Sequence, residues 1–288
     1  MRRLCAAVLL GIASVLGCSV GPEAYTADAD TGSTHALVVV ERSTSAGLAE
    51  PKAGAVAGFV RMPASVDAAE VMKLVGLGLE LPALGQCAEG ERGRDPTTAL
   101  APLGQVELLE AGDVQLATAW TTTSLTPRAF PTVTDLISGV VYTARDRAPE
   151  PLPSGVTYDI RATGGLHVPP LNLRVEAPAT LEGVTVSGTA LEDVATVSTA
   201  APLDLTWDVG SGGDIVYVEL NSTDGAPSVV CAFRDELGTA TVPASMFIGS
   251  GEGRISFHRL RTQAFTRPSI DRGELRFDFE LGQTVTFE

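Results

Sequence analysis

Leu275, Phe277, Phe279 and Leu281 alternate with Arg276, Asp278 and Glu280, a strict period of two. An extended strand sorts such a series onto two faces, one apolar and one charged. Leu203, Leu205 and Trp207 alternate in the same way with Asp204, Thr206 and Asp208, and Ile255 and Phe257 with Ser256 and His258. Apolar runs predict further strands at Ala36 to Glu41, Ala55 to Met62, Ser138 to Ala144, Val156 to Ala162, Ile215 to Leu220 and Ser228 to Phe233. Strands recur about every 8 to 15 residues with Gly, Asp or Pro between them, which suits a β-sandwich. Gln105 to Leu109 and Asp113 to Thr118 flank Glu110-Ala111-Gly112, a spacing that predicts a hairpin. Short helical turns are expected near Asp67 to Met72 and Pro243 to Phe247, and no long 3.6-residue period interrupts the strands. The expected fold is all-β. Two Ig-like β-sandwich domains are placed at 34–178 and 179–288, with the boundary near Ala177-Pro178.

The first residues read as an address. Arg2 and Arg3 form a positive start, and Leu4 to Leu16 carries no charge. As a helix this run would span about 20 Å, short of the roughly 30 Å of a bilayer core, so it reads as a signal-peptide segment. Val15-Leu16-Gly17-Cys18 resembles a bacterial lipobox. The resemblance implies cleavage after Gly17, leaving 1–17 as a lipoprotein signal peptide, and a lipidated Cys18. Residues 18–33 are polar and small, the composition of a flexible tether. Ser19 after Cys18 resembles the pattern of outer-membrane lipoproteins. The expected location is the cell envelope, extracytoplasmic and anchored to a membrane by lipid.

Composition narrows the function classes. Hydrophobic residues make up 44% of the chain, too many for disorder throughout. The formal net charge of −15 argues against nucleic acid, which needs basic surface to displace counterions. Losing Arg2 and Arg3 with the signal peptide would make the mature chain more acidic still.

Few residues remain for chemistry. Cys5 leaves with the signal peptide, so Cys87 and Cys231 form an even pair in an oxidising compartment. Two readings stay open for them. One is a disulfide, worth on the order of 4 to 5 kcal/mol for so long a loop in the chain-entropy model. The other is a buried strand thiol at Cys231 and a loop thiol at Cys87. His35, His167 and His258 show no metal-ligand spacing, so no metal and no cofactor are expected. No G-x-S-x-G motif exists, and the glycine-rich stretches around Ser211 and Ser250 read as hairpin loops. Asp278 and Glu280 are placed on the solvent face of their strand. Tyr142, Tyr158, Trp207 and Tyr217 sit in apolar strand contexts and read as core.

Tyr158-Asp-Ile-Arg-Ala-Thr-Gly-Gly165, Leu203-Asp-Leu-Thr-Trp207, Val230-Cys-Ala-Phe233 and Thr241-Val-Pro-Ala-Ser245 follow one another in order. This order resembles a diffuse group of bacterial secreted β-sandwich proteins and lipoproteins of unknown function, over residues 100 to 288. The resemblance implies an Ig-like fold and names no activity. The expected role is therefore non-catalytic: envelope structure, adhesion or ligand binding, with an envelope protein or glycan as partner. Two alternatives are kept. One is an envelope hydrolase with a carboxylate site not recognisable in sequence. The other is a calcium-dependent adhesion module using Asp204 and Asp208 with Asp214 or Asp224.

Overall fold

The computed structural model describes residues 32–47, 51–63, 66–90, 106–130, 137–144, 152–223, 228–247 and 249–288. Cys18, the signal peptide, almost all of the tether and Asp224 lie outside the described residues. The described strands are β1 (Ser33–Ser45), β2 (Lys52–Met62), β3 (Gln86–Glu89), β4 (Val106–Leu108), β5 (Val114–Ala117), β6 (Thr122–Ala129), β7 (Ile137–Thr143), β8 (Thr157–Ala162) and β9 (Leu171–Glu176). They continue with β10 (Thr185–Val186), β11 (Thr189–Ala190), β12 (Thr196–Val197), β13 (Leu203–Thr206), β14 (Ile215–Ser222), β15 (Val229–Arg234), β16 (Thr239–Val242), β17 (Gly251–Arg267) and β18 (Ile270–Phe287). Among the described residues there is one α-helix, α1 (Ala68–Leu74).

The last two strands are the spine. β17 and β18 are 17 and 18 residues long, so each spans roughly 60 Å. Pro268 and Ser269 turn one into the other, and Ser269 takes φ 63° at the second corner. From Leu275 onward the apolar side chains of β18, at every second position, point one way, toward what we call the inner face. Near the turn, Leu275, Phe277 and Phe279 enter a first core with β1, β2, β5, β8 and β9. Toward the far end, Val285 and Phe287 enter a second core with β13, β14 and β15. Each such buried Leu or Phe contributes about 1.5–3 kcal/mol.

Two smaller layers close these cores. One run of strands, β6-β5-β8-β9, continues from β7 at the far end of the main sheet. Leu116, Tyr158, Ile160 and Leu173 from it fill the first core. A separate four-stranded sheet, β11-β10-β13-β16, supplies Val186, Leu203, Leu205 and Val242 to the second. The architecture is an all-β sandwich. The first core draws on residues between Ala36 and Ala177, before the expected boundary at 178, and again on residues between Phe265 and Phe279 after it, while the second draws on residues between Leu181 and Phe287. Hydrogen bonding crosses that boundary: β1 runs parallel to β18 from the pair His35–Arg272 to the pair Ser45–Gly282. The two cores thus share one hairpin.

The stretch where the layers change over is held by two arginines of β17. Arg259, 2% exposed, ion-pairs with Asp235 at 3.0 Å and donates to the carbonyls of Thr180 and Asp208. Arg261 grips Asp214 through Nε and Nη2 at 2.7 and 2.8 Å and donates to the Glu176 carbonyl. Arg267 donates to the Asn172 carbonyl. Carbonyls at positions 172 and 176 of the terminal strand β9 are therefore covered by guanidinium groups, one way to blunt a sheet edge.

Three expected hairpins are not hairpins, and one of them, the stretch around Ser250, leads from β16 of the small sheet into β17 of the large one. β4 pairs with β2 and β7, while β5 pairs with β6 and β8. Gly112, at φ 71°, turns the chain from one layer into the other, and a Cβ there would lie 2.2 Å from Thr163 Oγ1. The Gly210–Gly213 stretch likewise joins β13 of the small sheet to β14 of the large one. Glycine marks a turn in the sequence but not whether the turn stays within a sheet.

Candidate functional site

The outer face of the main sheet is crossed by residues 66–90, which we call the strap. It starts as α1, capped by the Asp67 carboxylate accepting the Ala69 N–H at 2.9 Å. Val71, Val75 and Leu77 pack on Leu37, Val39, Val56 and Val60 of β1 and β2. The helix ends at Gly76, φ 75°, a conformation that glycine adopts without strain. After it, residues 77–82 are irregular. Leu79 and Leu81 lie against Tyr217, Ala232 and Leu260. The strap then rounds the sheet edge and pairs antiparallel with β15 as β3. Cys87 stands directly opposite Cys231, and the two are joined as a disulfide with 4.0 Å between Cα atoms.

A groove of about 660 Å³ opens between the strap and the turn end of the β17–β18 hairpin. That volume falls within the range of small-molecule sites. Leu37, Met72, Leu79 and Phe265 supply its apolar lining, and Lys73, Glu80, Arg272, Glu274 and Arg276 its charged rim. Phe265 lies over Gly273, its cross-strand partner, where any Cβ would meet the ring at 2.2 Å. Most rim charges are paired. Arg276 binds Glu274 at 2.7 Å and donates to the Leu77 carbonyl, and Lys73 contacts Glu70 and Glu80. His35 also lines the groove; burial, with Arg272 beside it, lowers its pKa.

Beyond the strap leucines lies a polar cluster built from cross-strand neighbours of β14, β17 and β18. Tyr217 and His258 are register partners whose rings stack 4.2 Å apart. Tyr217 donates its hydroxyl to Asp278 Oδ2 at 2.5 Å, and His258 Nδ1 lies 2.8 Å from Asp278 Oδ1. Next to it, Arg254 and Ser256 both donate to Glu280 Oε1 at 2.8 Å. Burial works against a charged His258, yet the Asp278 hydrogen bond and charge outweigh it and raise the pKa. Burial, followed by Asp278, raises the Tyr217 phenol well above its ordinary range. Glu280 shows the reverse balance: burial resists its charge, but bonds from Ser43, Arg254 and Ser256 hold its pKa down.

Asp278 and Glu280 are thus not on a solvent face. Their side chains are 17% and 20% exposed, with Tyr217 and His258 against the first and Arg254 and Ser256 against the second. The phenol bonds to the carboxylate and not to the imidazole, so the three side chains do not form a nucleophile–base relay. The cluster ties three adjacent strands together.

The aspartates considered for calcium are dispersed. Asp204 accepts from Thr241, and Asp214 is engaged by Arg261. Asp208 lies against Gly183. Among the described residues no three His, Cys, Asp or Glu side chains are grouped to hold a metal ion. His167 is exposed. Tyr142, Tyr158, Trp207 and Tyr217 are all buried, as their strand contexts predict.

No family model matches the chain, and no curated protein matches it. Among solved structures, the yeast delta-COP-I mu-homology domain aligns over 89% of this chain and 98% of that one, at 6% identity and a TM-score of 0.23. At that score the likeness carries no argument.

Proposed function

We propose that this chain is a lipid-anchored protein of the bacterial cell envelope, facing away from the cytoplasm, that acts by binding and not by catalysis. The observation that carries the reading is the order Arg2-Arg3, uncharged Leu4 to Leu16, then Gly17-Cys18. A diacylglyceryl group on the Cys18 thiol plus an acylated amine would supply more than one chain, which is what stable anchoring takes. The Cys87–Cys231 bond supports an oxidising compartment. Ser19 favours the outer membrane. The groove beside the strap is the binding site we favour for a small envelope component.

Expression in a bacterial host with an alkyne-tagged palmitate tests the anchor. The wild-type protein should take up label and fractionate with membrane, and Cys18→Ser should do neither. A mature N-terminus found free and unlipidated by mass spectrometry refutes the anchor. Turnover of an ester, glycoside or peptide substrate that disappears on Glu274→Gln would refute the non-catalytic half.

A further inference from the structure

We propose that the Cys87–Cys231 disulfide is a redox-operated latch. Its reduction releases residues 78–90 from the outer face of β14 and β17 while both cores stay folded. Three features of the packing lead there.

First, the bond sits at the end of a weakly held segment. β3 has four residues, three of them exposed, and β15 is its one strand partner among the described residues. Between Gly78 and Gly85 the strap has no regular secondary structure to stiffen it. In that stretch the described holds on the sheet are Leu79, Leu81 and the Gly85 N–H bond to the Ala232 carbonyl, and past β3 the Gly90 N–H donates to the Ser228 carbonyl.

Second, the cores do not depend on it. The first core contains no residue of the strap, and the second is touched by the strap at Cys87 alone. α1 has its own apolar seat through Val71, Val75 and Leu77, so release stops at the helix end, where Gly76 and Gly78 supply the hinge.

Third, release has a defined consequence. It uncovers Tyr217, Leu260, Ala232 and Val230, and removes Gly78, Leu79 and Glu80 from the wall of the groove. One bond therefore governs both an apolar patch and the shape of the groove.

The chemistry is ordinary thiol–disulfide exchange with an external dithiol. Cys231 is fully buried and Cys87 partly exposed, so the incoming thiolate attacks Cys87 Sγ. The bond to Cys231 breaks, and Cys231 leaves as a thiolate that takes up a proton. The second thiol of the reductant then displaces Cys87, which is protonated in turn. Two electrons and two protons pass to the protein, and the dithiol ends as its own disulfide.

The latch stands or falls apart from the binding reading, because its readout needs no ligand. Hydrogen exchange of the whole chain is compared before and after treatment with dithiothreitol, with Cys87→Ser/Cys231→Ala as a second route to the open state. Amides of 79–90 should exchange faster, on the order of tenfold or more, whereas 36–40 and 275–279 in the first core and 255–257 in the second should not change. Strap protection that survives reduction overturns the proposal. So does loss of protection in both cores together, or a bond that resists dithiothreitol until the cores unfold.

Discussion

Replacing Asp235 by alanine is expected to be the most damaging single change at the junction of the two cores. Asp235 and Arg259 are 1% and 2% exposed. The carboxylate accepts from Arg259 Nη2 at 3.0 Å through one oxygen and from the Gly210 N–H at 2.7 Å through the other. Without it the guanidinium keeps carbonyl partners at Thr180 and Asp208 but has no counter-charge. Breaking a buried pair from one side costs about 3–5 kcal/mol. For a chain of this size that lowers Tm by roughly 6–20 °C. Arg259→Met should cost a similar amount, since it strands the carboxylate and frees those carbonyls. Asp235→Ala/Arg259→Met removes both charges, so its loss should fall short of the sum of the single losses by about 2–3 kcal/mol. Urea unfolding followed by tryptophan fluorescence measures all four proteins. Trp207 is the natural reporter, being buried in the second core with its indole N–H donating to the Asp235 carbonyl. A loss under about 1 kcal/mol for Asp235→Ala, or strict additivity in the double variant, would refute the view that these groups act as a desolvated pair.

Tyr217→Phe deletes the hydroxyl that Asp278 accepts and should cost about 1.5–3 kcal/mol by urea denaturation, the range for a hydrogen bond to a charged group. His258 should titrate above 6.5 by NMR and His35 below it, and Asp278→Asn should move the His258 midpoint down. The signs follow from linkage: the His258 contribution is complete below pH 6.5 and fades as pH rises through its raised value, so His258→Gln should flatten that alkaline decline. Glu280 acts oppositely, contributing above its ordinary pKa of 4.5 and losing that contribution as pH falls through its lowered one, and Glu280→Gln should soften acid denaturation. Gly112→Ala forces a side chain into Thr163 at φ 71° and should lower Tm by several degrees, whereas Gly188→Ala, strained at φ 81° but facing open space, should lower it less.

The strands were legible where burial is one-sided. Leu275, Phe277 and Phe279 declare their inner face by alternation alone, and all three are buried. The fate of the opposite face was not legible, because Asp278 is held by Tyr217 and His258 and Glu280 by Arg254 and Ser256, all on other strands, and Arg276 reaches the Leu77 carbonyl across a separation of 199. The spine was read too short for a related reason. Arg259 and Arg261 occupy inner-face positions, and their charge interrupts the apolar pattern just where they cross between the cores. The helical turns near Asp67 to Met72 and Pro243 to Phe247 were legible from local chemistry. Short strands such as β10 and β12 owe their pairing to distant partners and carry no local signal. The groove was invisible for the same reason: β1, the strap and the hairpin turn meet there from three separate parts of the chain.

The shared hairpin also sets the order in which the molecule can assemble. β1 is the first described strand, yet it lies between β2 and β18, and the Thr34 N–H bonds to Asp271 across a separation of 237 residues. As the chain emerges from its N-terminus, neither core can close until its final residues arrive. Loop closure of this length slows folding and leaves unpaired strand surface exposed meanwhile. Translation and any transport step therefore act on an unfinished chain. Truncation before β17 would strip strands from both cores together, leaving no intact half behind.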